Sequence, residues 1–192
     1  MRIMIRFIEL LIPIFFLNCT QHPNTTELLK SYIQAANMHD ISVLRAKLDE
    51  NIVFILGHDT LIGKRAVIAP HEFDAGAGTR LTIKSFIVKG DTIESIIEET
   101  NNYMDTLCMP SVINYARFIF HNGLLTRIEP TRSQFALPAT DSIDKCWNQW
   151  IQTTHPEAWA QIIKPNGNIN FSRETGELLV KLACEWRQSL EK

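Results

Sequence analysis

Residues 93–129 carry two alternating runs joined by a short connection, and the second run turns through His121-Asn122-Gly123 into a third. At strand periodicity Ile93, Ser95, Ile97, Glu99, Asn101 and Tyr103 share one face, so apolar side chains give way to a carboxylate, an amide and a phenol. In the second run Ala116, Phe118 and Phe120 share a face, while Tyr115, Arg117 and Ile119 take the other. The pattern predicts antiparallel sheet, curved over a core, with polar groups gathered at one end.

Upstream, Asn24-Thr25-Thr26-Glu27 has the form of a capping box, and Leu28, Leu29, Tyr32, Ile33 and Ala36 follow at helical spacing. Asp40 caps a second short helix over 41–48. Residues 51–56 are a buried strand, left through the turn Gly57-His58-Asp59-Thr60. Gly63 opens a third helix, which Pro70 and then Gly76 and Gly78 disturb or end. A strand over 81–88 closes at Lys89-Gly90-Asp91, a hairpin turn. Helices and strands in this order predict an α+β domain, with helices covering one face of the sheet.

From Ala136 onward the spacing is helical. Asp141 caps a helix bearing Ile143, Cys146, Trp147, Trp150 and Ile151, and Pro156 sits in the first turn of another. Pro165-Asn166-Gly167 interrupts the chain. Ser172 then caps a last helix with Leu178, Leu179, Leu182 and Trp186 on one stripe. All four tryptophans fall here, where they either pack the extension against the sheet domain or stack on a ligand.

With 192 residues, 45% of them hydrophobic, the chain can bury a core of one domain plus an extension. A formal charge of −2 argues against a nucleic-acid partner. Arg2 and Arg6 precede an apolar stretch over 7–17, broken only by Glu9 and Pro13 and too short for a comfortable membrane span. It ends in Phe16-Leu17-Asn18-Cys19, followed at once by polar residues. This resembles a bacterial lipoprotein signal, although Asn18 departs from the small residue usual before the cysteine. The resemblance implies removal of 1–18, lipidation of Cys19, a tether over 19–24 and an exported protein held at a cell-envelope membrane through its lipid. The alternative is an ordinary secretory signal with a chance cysteine. Cys108, Cys146 and Cys184 allow at most one internal bond: either Cys146 and Cys184 are joined or the thiols are buried and free.

Three motifs carry a family resemblance. Leu28-Leu29-Lys30-Ser31-Tyr32-Ile33-Gln34-Ala35-Ala36-Asn37-Met38-His39-Asp40 resembles the first helix and helix-ending aspartate of nuclear transport factor 2-like proteins, a superfamily that includes SnoaL-like cyclases and ketosteroid isomerases. Gly63-Lys64-Arg65-Ala66-Val67-Ile68 resembles its later helix start, and Phe118-Ile119-Phe120-His121-Asn122-Gly123-Leu124-Leu125 its final hairpin. The resemblance covers 25–132 and implies a cone: a bent sheet wrapped around helices and a pocket, with 133–192 as a helical extension packed on it.

Such a fold does not dictate chemistry. An isomerase of this kind needs a carboxylate base, a phenol and a protonated carboxylic acid. Tyr32 matches the phenol, but Leu56 stands at the base and Ala116 near the acid, so no complete catalytic set is present. His58 and Asp59 are replacement bases in the turn after Leu56, or an ordinary solvated pair. Glu99, Asn101 and Tyr103 form a fuller constellation. If their face lines the pocket, Glu99 is a desolvated base and Asn101 a carbonyl donor; if it faces out, they are a rim or a dimer surface. Arg117 suits a carboxylate ligand or, more simply, an ion pair with Glu98 or Glu99. The scattered histidines suggest no metal, and no motif calls for a cofactor. The first reading is therefore a membrane-anchored binding module, with Tyr32, Phe54, Glu99, Asn101, Tyr103, Phe118 and Phe120 around a small apolar or amphipathic molecule. The second is a SnoaL-like enzyme performing proton transfer, cyclisation or hydration. The third is an interaction protein dimerising through its sheet.

Overall fold

The computed structural model describes residues 24–56, 59–132 and 138–191; Cys19, the tether up to residue 23 and His58 lie outside them. Helix α1 (Thr25–Asn37) starts where Asn24 Oδ1 accepts the Thr26 amide at 3.0 Å. Helix α2 (Ile41–Lys47) starts where Asp40 Oδ1 accepts the Val43 amide at 3.0 Å, and Leu48 already belongs to β1 (Leu48–Leu56). A strand the sequence did not suggest, β2 (Asp59–Ile62), folds back on β1 and begins at Asp59, which was expected in a turn. Then come α3 (Lys64–Ala77), β3 (Arg80–Lys89), β4 (Thr92–Thr100), the short α4 (Asn102–Thr106), β5 (Val112–His121) and β6 (Leu124–Arg132). Helices α5 (Pro138–Thr154), α6 (Pro156–Ile162) and α7 (Arg173–Ser189) follow. Helix α5 opens at Pro138, ahead of Asp141, because proline is tolerated in a first turn.

The sheet runs β2-β1-β6-β5-β4-β3 and stays open. Its pairings are antiparallel except β1 with β6, which run parallel. Irregularities at 83/85 and 119/120 bend it. Asn122 (φ 49°) and Gly123 (φ 80°) form the tight turn between β5 and β6, where both central residues need positive φ. Ile93 and Ile97 of β4, Phe118 and Phe120 of β5, and Ile128 of β6 face inward as the alternation predicts, packing on Leu29, Tyr32 and Ile33 of α1 and on Val67 and Ile68 of α3. Ser95 shares that buried face because its Oγ donates to the Ala116 carbonyl at 3.1 Å. Arg117 does not pair with Glu98 or Glu99. It bonds Glu129 at 3.1 Å, its register partner on β6, because on β4 it lies opposite Glu94, which leaves Glu98 and Glu99 four and five residues further along.

Helix α3 continues through Pro70 and Gly76 and stops at Gly78 (φ 66°), the last of the three residues expected to disturb or end it. Gly76 has a reason to be there. A Cβ on it would overlap the Arg173 carbonyl, and a Cβ on Gly176 of α7 would overlap the Phe73 carbonyl. The two helices thus cross backbone to backbone. Alongside, Leu107, Trp147, Ile151, Ile162, Leu182 and Trp186 form a second apolar cluster, flanked by Tyr103 and Met109. The tryptophans pack there rather than on the sheet's own core. Cys108, Cys146 and Cys184 are free, as one of the two alternatives had it, but exposed rather than buried, and Cys146 and Cys184 are not joined. The stripe buried by α7 contains Leu182 and Trp186, and Cys184 falls between them on the other side of the helix.

An uncrowded helical glycine gains about 1 kcal/mol on replacement by alanine. Gly176→Ala is expected instead to destabilise the chain by about 1–3 kcal/mol through forced separation of α3 and α7. Denaturant unfolding followed by tryptophan fluorescence reads this directly, and a stabilised variant would show that the crossing is loose.

Candidate functional site

The polar face expected from Glu99, Asn101 and Tyr103 does not assemble, because β4 stops at Thr100. Asparagine is a better helix cap than strand residue, and Asn101 caps α4, its Oδ1 accepting the Met104 amide at 2.8 Å. Tyr103 is thereby carried to the second cluster. Its hydroxyl donates to Asp144 at 3.3 Å and its ring meets Trp147 edge-on at 5.2 Å; burial, then Asp144, push its pKa up. Asp59 is exposed and accepts the Asn168 amide at 2.8 Å. Phe54, Phe118, Phe120 and Tyr32 belong to one apolar cluster inside the cone, with Leu56 packed against it. Of the three polar residues, Glu99 alone keeps the inward parity of Ile93 and Ile97. Its Oε2 accepts the side-chain amide of Asn114, another inward residue, at 2.9 Å.

What the structure brings to Glu99 was not anticipated. Because α3 passes Pro70, His71 and Asp74 sit one turn apart on a single face. The Tyr32 hydroxyl lies 3.2 Å from His71 Nε2, with the rings edge-on at 5.8 Å. His71 Nδ1 is 3.9 Å from Asp74 Oδ2, beyond hydrogen-bond range but close enough to be felt electrostatically. Thr79, itself buried, donates its hydroxyl to Asp74 Oδ1 at 3.0 Å. The line therefore runs from the apolar interior at Tyr32 to Asp74, whose side chain keeps 34% of its surface in water.

Burial sets the protonation of each member. It depresses His71 to about 4, so the ring is neutral at ordinary pH. Burial, then the charge of Glu99, push Asp74 up to about 7 against the Thr79 hydrogen bond. Burial and Asp74 raise Tyr32, which stays a phenol. A neutral imidazole with its proton on Nδ1 accepts from Tyr32 and faces Asp74 with a donor. The sequence signal was the His71-x-x-Asp74 spacing, obscured because Pro70, Gly76 and Gly78 were expected to disturb or end the helix.

Two surface hollows lie elsewhere. One of about 420 Å³ is lined by Arg45, Glu50, Lys64 and Arg65, and one of about 200 Å³ by Thr25, Leu28, Asp91 and Phe120, among others. Among the described residues, no group of three or more histidine, cysteine or acidic side chains is placed to hold a metal ion.

No protein-family model matches the sequence, and no curated protein matches it. Solved structures do share the fold. A ketosteroid isomerase, described as putative, from Kribbella flavida superposes with a TM-score of 0.51 at 15% identity, over 59% of this chain and 81% of that one. The epoxide hydrolase/cyclase-like enzyme SalBIII, of pyran ring formation in the polyether salinomycin, gives 0.51 at 13% identity over 58% and 92%. AclR from Streptomyces galilaeus, described as a putative hydroxylase, gives 0.51 at 16% identity over 63% and 85%. At such identities the likeness is one of fold, the cone of nuclear transport factor 2-like proteins.

The raised Asp74 has a thermodynamic signature. Between the ordinary carboxylate range and about 7 the residue ionises in the unfolded chain but not in the folded one, so stability is lost as pH rises through that window. Asp74→Asn removes this loss. Its Tm relative to wild type is expected to become more positive from about pH 4 to about pH 7.5, while His71, present in both proteins, cancels in the difference. A difference independent of pH would show that Asp74 titrates normally.

Proposed function

We propose that the chain is an envelope protein, anchored through Cys19, whose cone takes a small and partly apolar molecule and moves a proton on it with Asp74 as general base. The carrying observation is the Tyr32–His71–Asp74 line ending beside Glu99. A carboxylate that titrates near neutrality can both accept a proton and return it. Glu99, held by Asn114, makes Asp74 more basic. Neutral His71, held at Nε2 by the Tyr32 hydroxyl, keeps its Nδ1 proton turned towards Asp74 and so orients the base in surroundings where few waters compete. Support for the anchor is Arg2, Arg6, the apolar stretch and Cys19. No described helix is long and apolar enough to cross a membrane.

A second reading, binding without turnover, is favoured by the apolar cluster of Phe54, Phe118 and Phe120, in which the Tyr32 end of the line is set. One experiment separates the two. The protein is incubated in deuterated water with a panel of apolar carbonyl compounds bearing acidic C–H bonds. Exchange and retained mass are both followed by mass spectrometry. Proton transfer predicts deuterium uptake that falls by about 100-fold or more in Asp74→Asn and is weakened in Tyr32→Phe. Retained mass without exchange supports binding alone. Neither signal would overturn the assignment of the site.

A further inference from the structure

Strand β3 ends in Phe86, Ile87 and Val88, which are 37%, 62% and 43% exposed. Phe86 and Val88 pair with Ser95 and Ile93, on the inward side of the sheet, whereas Ile87 pairs with Glu94 on the outer side. Since β3 is the last strand of the sheet, this tip shows apolar side chains on both faces and an edge with no strand partner among the described residues. The start of α1 lies against the same tip: Thr25 Oγ1 donates to the Gly90 carbonyl at 3.4 Å. The tip is also tied to the neighbouring hairpin, because the Phe120 amide donates to the Asp91 carbonyl at 2.8 Å.

Cys19 is five peptide steps from Asn24, a span of at most about 18 Å whatever its conformation. A lipid on that cysteine therefore holds the bilayer within reach of this tip. We propose that the β3–β4 hairpin is a membrane-contacting wedge, with Phe86, Ile87 and Val88 resting in the headgroup region of the bilayer to which Cys19 is anchored. The proposal rests on the anchor reading above. Two-faced apolar exposure suits a fluid lipid boundary, which closes around both sides, better than a protein groove, which covers one. The free backbone edge stays at headgroup depth, where water can still satisfy it. The wedge also orients the site. From Thr92 at the tip to Glu99 near the far end of the strand, β4 extends about 23 Å, so Asp74 and Glu99 lie at the end away from the membrane.

The test uses the full-length chain in vesicles of phosphatidylethanolamine and phosphatidylglycerol doped with a photoreactive diazirine lipid. Adducts are mapped by peptide mass spectrometry, and the intact mass reports the lipid on Cys19. The expected result is labelling concentrated on residues 84–91. It should fall several-fold in Ile87→Asp, with the Cys19 lipid and the Tm unchanged. A lipidated chain whose hairpin is labelled no more than the exposed Tyr115 and Ile62 overturns the wedge alone. A dimer that Ile87→Asp dissociates also overturns it, by assigning the strip to a second copy. An intact mass without lipid overturns the anchor, and the wedge with it.

Discussion

The backbone crossing of α3 and α7 at Gly76 and Gly176 is the contact on which the arrangement of the candidate site depends. Helix α3 has three tasks along its length. Its first turns place Val67 and Ile68 under the sheet, its middle presents His71 to Tyr32, and its last turn holds Asp74 at the boundary between the apolar interior and water. Bracing that last turn by α7 is what a side chain at either glycine would prevent. The C-terminal helices therefore do more than bury tryptophans: they fix the end of the helix that carries the carboxylate. The left-handed Gly78 and the short link through Thr79 then start β3 immediately, which keeps Asp74 and Glu99 close enough to influence each other.

Asp74 is held where three physical effects disfavour its charge. It is crowded by protein on most sides, it feels Glu99, and it lies in the last turn of a helix, where the dipole repels an anion. A single hydrogen bond from Thr79 opposes these effects. Where a carboxylate serves only packing, an amide of the same shape would satisfy Thr79 without that electrostatic conflict. Groups kept in such conflict concentrate at functional sites, and this one sits at the boundary between the apolar interior and water.

The two ends of the cone divide the work. One end gathers hairpin tips, the start of α1 and an exposed apolar strip. The other gathers the end of β4, the start of β3 and the paired carboxylates. Strand β4 runs from the first end to the second. Tyr32 links the two ends from within: its ring packs on Phe118 at 5.7 Å while its hydroxyl points to His71.

The alternation along β4 and β5, the caps at Asn24, Asp40 and Ser172, and the turns at Gly90 and Gly123 were legible in the sequence because each is a local preference satisfied by neighbouring residues. So was the inward face of Ile93, Ile97, Phe118 and Phe120, since period two allows only one burial choice once a sheet has a covered side. Other features were decided elsewhere. Strand β4 stops at Thr100 because Asn101 finds a helix to cap, and a strand pattern continued beyond it misplaced both Asn101 and Tyr103. Helix α3 survives Pro70 and Gly76 because burial and the contact with α7 outweigh propensity. The Tyr32–His71–Asp74–Glu99 arrangement joins residues from α1, α3 and β4, and only the packing of helices into the bent sheet puts them within reach of one another. Local chemistry along the chain determined the elements and which side of each is buried; the polar site came from long-range contacts, which no stretch of sequence contains by itself.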